Sequence, residues 1–131
     1  MAARTEATVR ERALFACEYC RLPETVSLFS FHIEHIVARQ HGGNDELANL
    51  ALGCPECNLR KGPNIATLDP STGELIRLFH PRRDRWSDHF KTNTGVIEGR
   101  TAIGRGTTAL LSFNTKDRIR LRGMIERFDR S

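Results

Sequence analysis

The stretch FHIEHIVARQHGG, residues 31–43, decides the fold. Two histidines and a carboxylate, His32, Glu34 and His35, fall within four of its positions, and a Gly-Gly turn follows at Gly42 and Gly43. One CxxC pair precedes it, Cys17 and Cys20, and a second follows, Cys54 and Cys57. FHIEHIV alternates weakly and is rich in β-branched and aromatic residues, which predicts a strand. Beyond the turn, Asn44 or Asp45 stands where it would cap a short helical turn over ELANL. ALG, residues 51–53, predicts a short return strand. CPECNLRKG predicts a helix, with Pro55 at its first position and Gly62 at its C-terminal cap. The segment between the cysteine pairs therefore reads strand, loop, return strand, helix. A metal site, a catalytic site and a polar strand facing water are all compatible with the opening stretch taken alone.

The four cysteines are the only ones in 131 residues. A chain of this length predicts one domain with a small C-terminal extension, and a core modest enough to need a staple. Hydrophobic content of 39% and charged content of 27% are those of a globular chain rather than a disordered one. No apolar run approaches the ~18 residues of a membrane span, so no membrane partner is expected. The N-terminal MAARTEATVRERA lacks the apolar core of a signal peptide, which predicts a cytoplasmic chain. In that reducing setting, paired CxxC units read as a metal site before they read as disulfides. With no βαβ pattern around either pair, a redox motif is disfavoured. Cys17, Cys20, Cys54 and Cys57 match the tetrahedral four-thiolate set of a structural Zn²⁺, which has no open position for chemistry. The 21–53 separation exceeds that of a simple zinc ribbon, so the loop between must hold structure of its own.

Charge divides the chain. Residues 1–76 carry seven Lys/Arg against ten Asp/Glu, and residues 77–131 thirteen against six. A basic C-terminal half suits a phosphate backbone, and equally a solvated arginine-rich helix face. Outside the central segment, TEATVRERALFA predicts a helix over 5–16 capped by Thr5 or Thr8. DPSTGE predicts a turn, LIRLF a short strand and DRWSDHFK a helical turn. GVIEGRTAIGRG reads as strand broken by glycine, and TTALLSFN as helix. TKDRIRLRGMIERFD carries Ile119, Leu121, Met124, Ile125 and Phe128 near helical spacing.

Glu34 and His35 are adjacent on the first strand, Asn49 lies in the connecting loop, and Asn58 follows Cys57 on the first turn of the helix. A carboxylate and an amide oxygen are hard ligands suited to Mg²⁺ or Mn²⁺. A histidine beside them is a natural general base at neutral pH. Such a kit can hydrolyse a phosphodiester: the base takes a proton from water, and the metal offsets charge on the phosphate.

CEYC … IEHIVARQHGG … NLALGCPECNLRKG resembles the HNH endonucleases of the type that bears zinc knuckles, over about residues 10–65. DPSTGELIRLFHPRRDRWSDHF is similar to segments that follow this core in a bacterial subgroup. The resemblance implies an α+β fold: a ββα-metal core stapled by the four-cysteine zinc site, an N-terminal helix, and a basic C-terminal extension. It implies residues 1–92 as nuclease domain and 93–131 as extension, strand and helix packed on the core. It further implies a DNA hydrolase leaving 5′-phosphate and 3′-hydroxyl ends, with RNA not excluded. His35 would activate the water, Glu34 and Asn58 would bind the catalytic Mg²⁺ or Mn²⁺, and Asn49 would brace the loop and orient the base. Lys61 would lie near the phosphates. The sequence departs from the commoner pattern twice: Glu replaces Asp at 34, one methylene longer, and Asn replaces His at 58, favouring a hard ion.

His32, two positions before Glu34, is expected on the same strand face. It is a candidate third ligand, phosphate contact or partner of a ligand, beside the plainer reading of a surface histidine. His41 reads as a loop or DNA-backbone residue, His80 and His89 as structural, and Trp86 and Phe90 as core. Arg39, Arg60, Lys61, Arg82, Arg83 and Arg85 are candidate phosphate contacts, which position a duplex without reading its sequence. Two rivals stand beside the nuclease: a non-catalytic, zinc-stabilised nucleic-acid-binding module, which does not need Glu34, His35 and Asn58 together, and a protein-binding zinc finger, which has no use for the arginines.

Overall fold

The computed structural model describes residues 2–130. After helix α1 (Ala3–Arg12), the chain runs through the first cysteine pair into strand β1 (His32–His35), returns as β2 (Leu50–Gly53) and enters helix α2 (Pro55–Lys61). β1 and β2 are antiparallel, with His32 opposite Gly53 and His35 opposite Leu50, and α2 packs on β1. Pro55 opens α2, and Gly62 closes it at φ 50°. The strand is shorter than FHIEHIV predicts: its paired residues end at His35, and one further backbone bond, from the Ile36 amide to the Asn49 carbonyl at 2.8 Å, closes the ladder. The helical turn over Leu47–Asn49 has no side-chain cap. Instead Asn44 Oδ1 accepts the Glu46 amide at 3.1 Å, an Asx turn centred on Asp45.

α1 begins and ends earlier than predicted. Thr8 caps nothing: it lies inside the helix and its hydroxyl donates to the Arg4 carbonyl at 2.9 Å. The helix stops because Leu14 and Phe15 adopt left-handed φ values of 54° and 58°. Arg12 clamps α1 to the central loop, donating to the Leu47 and Leu50 carbonyls at 3.0 and 2.7 Å.

The remainder consists of a hairpin of β3 (Ala66–Leu68) and β4 (Leu75–Arg77), a short helix α3 (Trp86–His89), a second hairpin of β5 (Phe90–Asn93) and β6 (Val96–Gly99), and helices α4 (Ala102–Leu110) and α5 (Lys116–Arg130). Small antiparallel sheets with helices laid against them make the fold α+β. One apolar core runs through all of it, joining Val9, Tyr19, Leu50 and Leu52 to Phe79, Phe90, Ile97, Leu111 and Phe113. The β5–β6 hairpin spans residues 92 and 93, and its Ile97 belongs to that core.

Two C-terminal helices also differ from their sequence reading. The TAIGRG stretch, read as broken strand, is the first half of α4. Thr101 caps it by accepting the Gly104 amide at 3.0 Å. Its glycines are there for close approach: a Cβ on Gly104 would lie 2.0 Å from the His89 carbonyl oxygen. In α5 the buried face is not the apolar series. Arg118 and Arg122 are buried, at 3% and 4% exposure, while Met124 and Phe128 are exposed, at 44% and 79%.

Candidate metal centre and catalytic site

The cysteine pairs converge. The four Sγ atoms lie within 4.8 Å of one another, every one is buried, and none is in a disulfide. Cys20 and Cys54 Sγ are 3.7 Å apart. A tetrahedral ion with metal–sulfur bonds of ~2.3 Å sets its sulfurs ~3.8 Å apart, so the donor set fits one thiophilic cation. Each pair turns a backbone amide onto its own first sulfur, Cys20 N to Cys17 Sγ at 3.4 Å and Cys57 N to Cys54 Sγ at 3.3 Å. Burial disfavours every one of the four charges, so four thiolates gathered here require a cation to balance them.

Part of that balance comes from α5. Arg118 Nη1 donates to Cys57 Sγ at 3.1 Å, Nη2 donates to the Leu111 carbonyl at 2.6 Å, and Nε stands 3.0 Å from the Glu56 carboxylate. Burial works against its charge, but the neighbouring cysteines outweigh burial and hold the guanidinium protonated. Arg122, one turn on, donates from Nε to the Gly95 carbonyl at 2.7 Å.

Beside this centre stands the ββα unit. Glu34 points inward and is 6% exposed. Its Oε1 accepts the Tyr19 hydroxyl. Its Oε2 lies 3.8 Å from Lys61 Nζ and accepts no hydrogen bond among the described residues. Burial raises its carboxyl above the ordinary range, with Lys61 and Tyr19 offsetting only part. Asn58 and Lys61 are three residues apart on α2 and so share a face. The Asn58 side chain makes no hydrogen bond among the described residues. The Glu34 carboxylate and the Asn58 amide are hard donors of the kind that Mg²⁺ or Mn²⁺ takes.

His35, alternating to the other side of the strand, has Nε2 2.6 Å from Asp45 Oδ1. Arg39 Nη2 bonds both oxygens of Asp45, at 2.9 and 3.1 Å. The bonds from His35 and Arg39 hold the Asp45 carboxyl below the usual range. Asn49 closes the loop between: Oδ1 accepts the Val37 amide at 2.9 Å, and Nδ2 donates to the carbonyls of Val37 at 3.0 Å and Asn44 at 2.8 Å. His32 does not share the enclosure of Glu34. It begins the strand and is exposed.

The basic residues separate. Lys61 is not presented to phosphates: it is 2% exposed and its Nζ donates to the Ile36 carbonyl at 2.9 Å. Arg82 is half-buried against Glu18, which also accepts the Leu52 amide at 2.9 Å. Arg39 and Arg60 are exposed but paired, the latter with Glu56 at 3.3 Å. Arg83 and Arg85 are exposed and carry no ion pair among the described residues. Arg83 borders a groove of about 420 Å³ shared with Val37, Gly43, Asn49 and His80. His80 Nδ1 accepts the Arg82 and Arg83 amides at 3.2 and 3.3 Å, and His89 Nδ1 is 2.6 Å from Thr101 Oγ1. Phe90 is buried in the core, and Trp86 packs against it while donating to the Tyr19 carbonyl at 2.8 Å.

Sequence reasoning passes over Tyr19, Arg118 and Arg122, and takes Asp45 only as a cap. Tyr19 carried a signal, since it sits between two ligands. The arginines carried none, because they arrive from the far end of the chain.

Among the described residues no helix is long and apolar enough to cross a membrane. No curated protein and no solved structure matches the chain. Residues 17–64, which hold both cysteine pairs and the whole ββα unit, match the family model for HNH endonuclease, and this segment of the chain is an HNH domain.

Proposed function

We propose that the chain is a metal-dependent endonuclease that hydrolyses phosphodiester bonds of DNA, with a structural Zn²⁺ on its four cysteines and a cytoplasmic place of work. The observation that carries this reading is the HNH-type ββα unit, which sets the buried Glu34 carboxylate on the strand position next to His35. Glu34 and Asn58 would hold a Mg²⁺ or Mn²⁺ ion, which supplies neutralisation of charge on the phosphate and leaving oxygen. His35 takes the proton of the attacking water as the new P–O bond forms and the P–O3′ bond breaks. Asn49 holds the loop in register with the strand that carries the base. Arg83 and Arg85, exposed and without an ion pair among the described residues, position the backbone.

One observation favours the second reading, a non-catalytic, zinc-stabilised nucleic-acid-binding module: Glu34 already has the Tyr19 hydroxyl and the Lys61 ammonium beside it. Supercoiled-plasmid cleavage by the zinc-loaded protein separates the two. The nuclease nicks with Mg²⁺ or Mn²⁺, stops with EDTA, and is inert as His35→Ala. Wild type and His35→Ala that bind DNA equally and cut neither DNA nor RNA with any metal establish the binding module instead.

A further inference from the structure

We propose that Asp45, clamped by Arg39, is the positioning residue of this site, fixing the His35 ring with Nε2–H donated to the carboxylate and Nδ1 presented as the base. The inference rests on the nuclease reading and names how its base is held. An ionised carboxylate can only accept, so the 2.6 Å contact requires the hydrogen to be on His35 Nε2. In the neutral ring the lone pair then sits on Nδ1. The neighbouring nitrogen is thereby assigned by geometry alone.

A pair of exposed side chains is ordinarily a weak, mobile contact. Here Asp45 is 61% exposed, but three features fix it. Arg39 bonds both of its oxygens, which stops the carboxylate from turning. The Asx turn made by Asn44 and Glu46 brackets its backbone. Asn49 anchors that turn from beneath, through the Asn44 carbonyl. Among the described residues Asn49 makes no hydrogen bond with His35 itself, so its influence on the base runs through the loop and Asp45. Arg39, read from sequence as a phosphate contact, serves the same clamp.

The test is Asp45→Asn, a surface change that leaves the core and the cysteine site untouched. An amide at this position can donate to Nε2, which favours the Nδ1–H form and occupies the base lone pair. Long-range ¹H–¹⁵N spectra of the zinc-loaded protein in mildly alkaline buffer read the tautomer directly. Wild type should show Nε2–H at His35, and Asp45→Asn should lose that preference. Turnover on supercoiled plasmid should fall ~10²-fold while KM for DNA moves less than ~3-fold. The same exchange costs ~10⁴ in the buried triads of serine hydrolases, and a site this open should lose less. Asp45→Glu, which keeps an acceptor, should retain the wild-type tautomer and more of the rate. Wild-type cutting that survives Asp45→Asn, or an unchanged tautomer, overturns the assignment. A wild type that cuts no nucleic acid fails differently: it sinks the nuclease reading itself.

Discussion

Lys61 brings an ammonium into the core, where Nζ bonds the Ile36 carbonyl and faces Glu34 across 3.8 Å. Removing one member of a buried pair strands the other's charge, which costs about 3 kcal/mol or more. Lys61→Met should therefore unfold at markedly lower urea at fixed free zinc, and adding Glu34→Gln should recover part of the loss. A double variant no better than the single one would mean that Lys61 stabilises through packing rather than charge. Asn49→Ala leaves the Val37 amide and two carbonyls without their partner, an expected loss of about 2 kcal/mol. Faster amide exchange at Val37 and through residues 44–46 would check it. The gathering of Glu34, His35, Asn49 and Asn58 into one ββα unit was legible because the turn and cap signals around them fix that unit. The burial of Lys61 and Arg82 was not: Lys61 bonds a backbone carbonyl, which no residue type announces, and the partner of Arg82, Glu18, lies far away in sequence.

The same contrast governs elements. The ββα unit was legible because turn and cap chemistry mark each of its boundaries: Gly42 at φ 89°, Pro55 at the start of α2 and Gly62 at its end. α4 was not, because its glycines lower helix propensity locally and answer instead to neighbours outside the segment. Gly104→Ala makes the consequence measurable. Propensity alone predicts a gain of up to ~1 kcal/mol in a helix interior. The added Cβ would meet the His89 carbonyl oxygen at 2.0 Å, backbone that has no room to yield. The clash should win, with a net loss of about 2 kcal/mol and a Tm several degrees lower. A variant as stable as wild type would show that α4 slides freely on α3. α5 was legible as a helix and misread in orientation, since the two arginines that turn inward follow carbonyls and sulfurs, not hydrophobic period.

For the molecule as a whole, the cysteine cluster and the basic half are one system. Arg118 links α5 to Cys57, so the C-terminal helix closes over the metal centre. Arg118→Met removes a hydrogen bond to a ligand sulfur, and zinc affinity should fall ~10–100-fold against a competing chelator. The positive excess after residue 76 is consequently smaller as a binding surface than its count suggests. Arg77, Arg82 and Arg105 are paired with Asp84, Glu18 and Asp69, and Arg118 and Arg122 are buried. Of the sequence's candidate phosphate contacts, the ones that remain exposed and without an ion pair among the described residues are Arg83 and Arg85, and each phosphate contact contributes ~0.9 to the slope of log K against log salt. Arg83→Ala and Arg85→Ala should each lower that slope by about one, weakening binding alike on every duplex sequence. Arg82→Ala should leave the slope unchanged and lower stability instead, because its charge is already spent on Glu18. A slope that falls with Arg82 and not with Arg83 or Arg85 would place the nucleic acid on another face of the protein.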